Sequence, residues 1–219
     1  MKDNTAGKLI VFEGVEGSGK TTHIATTYQW LKNSPWSKQW PVMATRQPGG
    51  TALGVAIRQL LLEEEEDYPL HDRAELLLYA ADRAQHLEEI VKPQLEVGGI
   101  VLCDRYTDST IAYQGYGRGL DRVFIESVNF LATGGLESDL TIWLDVDVTI
   151  GLERARQRGK IDRMEKTELA FHRRVQQGYQ ELAATHPDKI KRVEASGSTE
   201  QIQQEIQAIL TTYLERIGS

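Results

Sequence analysis

The chain holds one cysteine in 219 residues, so no internal disulfide can form, and Cys103 lies in the apolar run 99–103, where a small buried hydrophobe is the expected role. Long apolar runs are missing too. Nothing approaches the roughly 18 uninterrupted apolar residues of a membrane span, and residues 1–8 are polar, so a soluble, unexported, cytoplasmic protein is expected, with no membrane partner. Positive charge is in deficit: 25 Lys and Arg against 32 Asp and Glu leave a net −7, which argues against a general nucleic-acid binder, whose surface must displace counterions from phosphates. The five histidines (His23, His71, His86, His172 and His186) show no metal-ligand spacing, and no structural metal is expected. The acidic run 63–67 reads as a solvated helix end. Internal repeats, low-complexity tracts and linkers rich in Pro, Gly or Ser are also lacking, which points to one domain over residues 1–219.

What the sequence does contain is an alternation. Short β-rich apolar runs at 9–12, 41–45, 100–103, 140–144 and 190–193 are separated by segments of helical periodicity at 20–31, from about 51, 72–95, 148–158, around Phe171–Val175–Tyr179–Leu182, and 199–217. This predicts an α/β fold with a five-stranded parallel sheet covered by helices on both faces. In the third helix Leu76, Tyr79, Arg83 and Leu87 recur at helical spacing, which places Tyr79 and Arg83 on one side.

The strongest motif is Gly14-Val15-Glu16-Gly17-Ser18-Gly19-Lys20-Thr21, which matches G-x-x-x-x-G-K-[ST] and falls directly between a strand and a helix. Glycines let such a loop wrap phosphate oxygens, so that backbone N–H groups and the positive helix end face the anion. Lys20 is expected to neutralise β/γ-phosphate charge and Thr21 to offer its hydroxyl to Mg²⁺, with Thr22 completing the ATP-binding set. A P-loop NTPase fold follows, but not yet a reaction. A GTPase switch would carry Asp-x-x-Gly and Asn-Lys-x-Asp, and neither tetrapeptide occurs. Three further constellations of Arg and Asp supply more cations than ATP requires, which suggests a second phosphorylated substrate.

Along nearly the whole chain the sequence resembles the thymidylate kinases, in the bacterial type whose catalytic arginine lies in a lid. The resemblance rests on residues 12–22, on Thr45-Arg-Gln-Pro-Gly-Gly-Thr51, on Leu78-Tyr-Ala-Ala-Asp-Arg83, on Asp104-Arg105-Tyr106 with Ser109, Thr110 and residues 112–115, and on the basic stretch 154–165. It implies phosphoryl transfer from ATP with Mg²⁺ to dTMP, giving ADP and dTDP, a step of dTTP biosynthesis, in an enzyme that is usually a homodimer. It also implies roles. The acceptor region spans about 46–118: Arg46 and Pro48 line the pocket, Tyr79 offers a flat face to the pyrimidine, and Arg83 donates to a base carbonyl. Arg105 clamps the acceptor phosphate, Asp104 stands near the metal, Thr110 and Gln114 meet base edges, and Tyr113 packs on the sugar. Glu13 and Ser109 join the acceptor set, and Glu16 matches a carboxylate near the metal or the sugar. The lid, about 154–166, carries Arg154, Arg156, Arg158 and Arg163, and Arg158 is expected to stabilise the transferring phosphoryl group. Gln47 departs from the family pattern, which has Glu there.

Rival readings remain at this point. They are a kinase for another nucleoside monophosphate, an ATPase driving a partner, and a nucleotide-binding module without turnover.

Overall fold

The computed structural model describes residues 7–63, 70–157, 159 and 162–218. Five parallel strands, β1 (Lys8–Glu13), β2 (Val42–Arg46), β3 (Ile100–Asp104), β4 (Leu140–Asp145) and β5 (Ile190–Glu194), form one sheet in the order β2-β3-β1-β4-β5. The expected strands are all present, within a residue or two at each end. Side chains alternate across β1 and β3. Ile10, Phe12, Ile100 and Leu102 join the larger core cluster, while Leu9, Val11, Val101 and Cys103 face a smaller one with Leu87, Val91 and Tyr106. All four β1 side chains from Leu9 to Phe12 are fully buried, and each contributes about 1.5–3 kcal/mol of apolar burial.

The helices are α1 (Lys20–Lys32), α2 (Ala52–Leu62), α3 (Asp72–His86), α4 (Lys92–Glu96), α5 (Thr107–Thr110), α6 (Arg122–Thr133), α7 (Val148–Gln157), α8 (Leu169–Thr185) and α9 (Thr199–Gly218). A π-helical turn, Leu87–Val91, welds α3 to α4, so the expected helix 72–95 is one rod with a widened turn in it. A second π segment, Ile111–Gly117, continues α5. Such turns are rare and gather at functional sites.

Helix α6 was not anticipated. Its stop and start signals were nonetheless in the sequence: Asp121 caps it by accepting from Phe124 N at 2.9 Å, and Gly134 ends it with φ +61°.

β1 lies between β3 and β4, so the chain leaves it in both directions across the sheet, and open parallel sheets bind ligands at such a switch, beyond the carboxyl ends of the strands. Glu13, Arg46 and Asp104 end β1, β2 and β3 on that edge. No helix among the described residues is long and apolar enough to cross a membrane. Of the acidic run 63–67, all but Glu63 lies outside the described residues.

Candidate active site

The phosphate loop runs from β1 into α1. Gly17, at φ +71°, lies so close to Gly151 on α7 that an added Cβ would sit 1.9 Å from the Gly151 carbonyl oxygen, so only glycine fits. The Lys20 ammonium donates to Gly14 O and Val15 O, both at 2.9 Å, and to Ser18 Oγ at 3.3 Å. Burial, helped by the nearby Arg105 charge, lowers Lys20 to about 8. Thr21 Oγ1 donates to Asp104 Oδ2 at 3.4 Å, and the buried Asp104 Oδ1 has no hydrogen-bond partner among the described residues.

Directly after β3 stands Arg105, the one non-glycine residue among those described with positive φ, +70°. A side chain held in the left-handed region costs on the order of 1–3 kcal/mol and persists where its surroundings over-determine it. They do so here. Nη1 donates to Ser109 Oγ (3.2 Å) and Tyr179 OH (3.3 Å), and Nη2 to Glu16 Oε1 (2.9 Å) and Tyr113 OH (3.0 Å), with the guanidinium carbon 4.8 Å from the Tyr113 ring centroid. Tyr113 OH also donates to Glu16 Oε1 at 2.6 Å. Burial alone would raise the Glu16 carboxyl, but His172, Arg105, Lys20 and the Tyr113 hydroxyl outweigh it and hold the group ionised, well below the usual carboxylate range.

Beneath this cluster Glu13 is fully buried. Its Oε1 accepts from Tyr106 N (2.8 Å) and Ser109 N (3.2 Å), and its Oε2 from Ser109 Oγ (2.6 Å) and Tyr179 OH (2.7 Å). Burial raises its carboxyl.

On α3, Arg83 is equally fixed. Nε donates to Gln47 Oε1 (3.0 Å), Nη1 to Thr110 Oγ1 (2.8 Å) and Asn129 Oδ1 (2.7 Å), and Nη2 to Tyr106 O (2.9 Å). A guanidinium has five N–H donors, so one, on Nη2, is left over. One turn earlier lies Tyr79, whose phenol burial pushes up. Gln114 Nε2 donates to Glu75 Oε1 at 2.9 Å, which leaves its carbonyl end for other partners.

The loop, Arg105 and Arg83 open onto one cleft of about 900 Å³, also lined by Arg46, Pro48, Tyr79, Asp104 and Tyr113. A helix N-terminus with its lysine at one end and a second, separately braced arginine beside an aromatic at the other suit two phosphorylated ligands facing each other. The sequence profile of the family described as Thymidylate kinase matches residues 12–206. Thymidylate kinases of Nostoc punctiforme and Trichodesmium erythraeum are 59% and 56% identical, over 95% and 93% of this chain and 98% and 95% of theirs. The chain belongs to the thymidylate kinase family. In space it is similar to the crystal structure of thymidylate kinase from Ehrlichia chaffeensis, at a TM-score of 0.76 and 32% identity, covering 94% of this chain and 99% of that one.

Against that family pattern, several expected residues fall elsewhere than the sequence reading put them. Glu13 does not line the cleft; it braces the Arg105–Ser109 segment from below. Glu16, expected near the metal or the sugar, is engaged by Arg105 and Tyr113. Gly14 and Val15 turn their carbonyls to Lys20 and lie behind the cleft wall. Among the basic residues of the lid, Arg154 lines the cleft but donates to Ala195 O at 2.9 Å and Ser196 O at 3.5 Å. Arg163 is tied to α2 and α3, through Nε to Leu61 O at 2.8 Å and Nη2 to Glu75, and does not line the cleft. Arg156 is exposed near the end of α7, and Arg158 lies outside the described residues.

Sequence reading also passed over cleft residues. Arg58, on α2, donates to Pro48 O at 2.9 Å, and its spacing from the cap Thr51 was the only signal. Asp82 Oδ1 accepts from Gly49 N at 2.9 Å and so anchors the Pro-Gly-Gly loop to α3.

Proposed function

We propose that the family's reaction, transfer of a phosphoryl group from ATP to dTMP giving ADP and dTDP, runs in this cleft with the residue roles that follow. The single observation carrying the assignment is Arg105: a cation held at φ +70° by Ser109, Tyr179, Glu16 and Tyr113, opening onto the same cleft as the phosphate loop. It serves as the clamp for the acceptor phosphate.

The ATP triphosphate rests on the loop N–H groups of residues 16–19 and on Lys20, whose ammonium is drawn from the loop carbonyls to phosphate oxygens. Mg²⁺ fits Thr21 and Asp104, a hydroxyl and a carboxylate with an unpartnered buried oxygen; Glu16 also keeps an unpartnered buried oxygen, Oε2, while its Oε1 is held by Arg105 and Tyr113. When bound, the cation neutralises charge on the β- and γ-phosphates.

On the other side Tyr79 and Pro48 flank the base, and the remaining Arg83 N–H donates to a carbonyl at its edge. Arg83 can only donate, so a cytosine amino group at that edge is repelled and the thymine carbonyl is accepted. Tyr113, locked on Glu16, limits the room beside the sugar. The acceptor phosphate is already a dianion and attacks the γ-phosphorus in line without a general base; catalysis is positioning and charge stabilisation, with Arg154 and Arg158 as the lid cations that complete it. Arg163 is a tether and not a catalytic group.

The chain acts as one domain, cytoplasmic, and as a homodimer. Support for the dimer comes from α2, α3 and α6, which pack side by side and leave Leu60, Leu77, Phe130 and Leu131 exposed at 55–84%. Leu76 and Leu87, on the same rod as Leu77, are fully buried within the chain.

The test is ADP formation from ATP and Mg²⁺ with dTMP, dUMP, UMP, CMP, AMP or GMP offered separately, beside an acceptor-free control. Turnover preferring dTMP is expected. Equal ADP formation without acceptor would replace the kinase by a partner-driven ATPase.

A further inference from the structure

Behind Arg83 runs a chain of hydrogen bonds that reaches α3's last residue. Arg83 Nε–H can only donate, so the Gln47 atom 3.0 Å from it must be the carbonyl oxygen. That choice turns the Gln47 amide nitrogen toward His86 Nδ1, at 2.8 Å. An amide –NH₂ also only donates, so Nδ1 must be bare. The ring proton of a neutral imidazole then sits on Nε2, where it donates to Thr45 Oγ1 at 2.6 Å. Each bond fixes the direction of the next, from Arg83 through Gln47 and His86 to Thr45.

A second contact supports a mechanical role for the ring. His86 is fully buried and covers Gly50, where an added Cβ would lie 2.4 Å from His86 Cδ2. One side chain therefore holds the end of β2, through Thr45, and the loop carrying Pro48 against the helix that carries Arg83.

We propose that His86, as the neutral Nε2–H tautomer, is a positioning residue for the acceptor base, fixing the Arg83 guanidinium through the Gln47 amide. The inference rests on the reading of Arg83 as the group that meets the base. It also gives Gln47 a physical reason. A carboxylate at 47 could accept from Arg83 but could not donate to His86, so the ring would have to carry its proton on Nδ1, or carry two. The amide is the group that matches a bare Nδ1 on one side and a cation on the other.

Nitrogen-15 spectra of the histidine side chains in the unliganded, full-length enzyme at neutral pH test the tautomer directly. His86 is expected to show a protonated Nε2 and a bare, hydrogen-bonded Nδ1; a protonated Nδ1, or a doubly protonated ring, would overturn the relay. In Gln47→Glu the proton is expected on Nδ1, and an unchanged tautomer contradicts the account. Kinetics supply a readout that a merely structural role would not move. Removing a buried acceptor leaves the Gln47 amide unpaired, so His86→Ala should raise KM for dTMP by about tenfold while KM for ATP stays within about twofold. His86→Asn, whose carbonyl oxygen can accept from Gln47, should recover most of that loss. Equal changes in both KM values, or Asn no better than Ala, sinks the positioning role. Failure of the wild-type enzyme to turn over dTMP would remove the acceptor reading instead, and the tautomer would still decide whether the relay exists.

Discussion

The acceptor side and the lid side of the cleft hold their arginines in different ways. Arg83 is buried and Arg105 partly so, each makes four hydrogen bonds through its guanidinium, and their partners come from four or more segments of the fold. Among the described residues Arg154 and Arg163 have fewer partners, two each: Ala195 O and Ser196 O for one, Leu61 O and Glu75 for the other. The difference teaches where preorganisation is invested. Arg83 and Arg105 are braced in advance, each with one N–H left over for the acceptor, which spares ordering cost at binding, whereas Arg154 is held by two backbone carbonyls that it must leave before it can serve a phosphoryl group.

That contrast can be broken by mutation. Arg105→Lys keeps the charge and loses the fork, and kcat/KM for dTMP should fall about a thousandfold, or about 4 kcal/mol, in steady-state assays. A loss below tenfold would mean that the clamp lies elsewhere. Glu16→Gln leaves Arg105 without its carboxylate, and should cost about thirtyfold in KM for dTMP with KM for ATP little changed.

A smaller effect appears in stability against pH. Burial first, then the Arg83 charge, lowers His86 from 6.5 to about 4. Because the folded value lies below the unfolded one, the unfolded chain takes up the proton first, and stability falls as pH drops from about 6.5 to 4. Chemical denaturation at pH 7 and pH 4.5 should show His86→Asn losing about 2 kcal/mol less than the wild type over that interval. Equal losses would contradict the neutral buried ring. Least affected should be catalysis in Arg163→Ala: kcat within about threefold, with a lowered Tm because Glu75 loses a charged partner and keeps Arg118, 3.1 Å away. A hundredfold fall in kcat would restore Arg163 to the chemistry.

Much of this was legible in the sequence, for identifiable reasons. β1 and β3 announce themselves because parallel strands buried on both faces read as continuous apolar runs, and the phosphate loop because its glycines meet a close backbone approach at Gly151. Helical spacing put Tyr79 and Arg83 on one side of α3, the family resemblance assigned them to the acceptor, and both line the cleft. What stayed hidden depends on contacts between distant segments. Glu13 looks like a ligand beside a phosphate loop, and only the packing of residues 106–109 and Tyr179 on it makes it a brace. Glu16 and Arg105 are 89 positions apart, and nothing local pairs them. Nor could spacing within the basic stretch show that Arg163 is taken by Glu75.

The central claim is that the acceptor half is formed in advance and the donor half completes itself later. Calorimetric titration of dTMP into the enzyme, alone and with a non-hydrolysable ATP analogue and Mg²⁺ present, tests it most directly. Dissociation constants within about threefold of each other are expected, since a preformed site needs little help from the second ligand. If dTMP bound measurably only once the nucleotide was in place, the acceptor side would be assembled by the donor, and the account would be wrong.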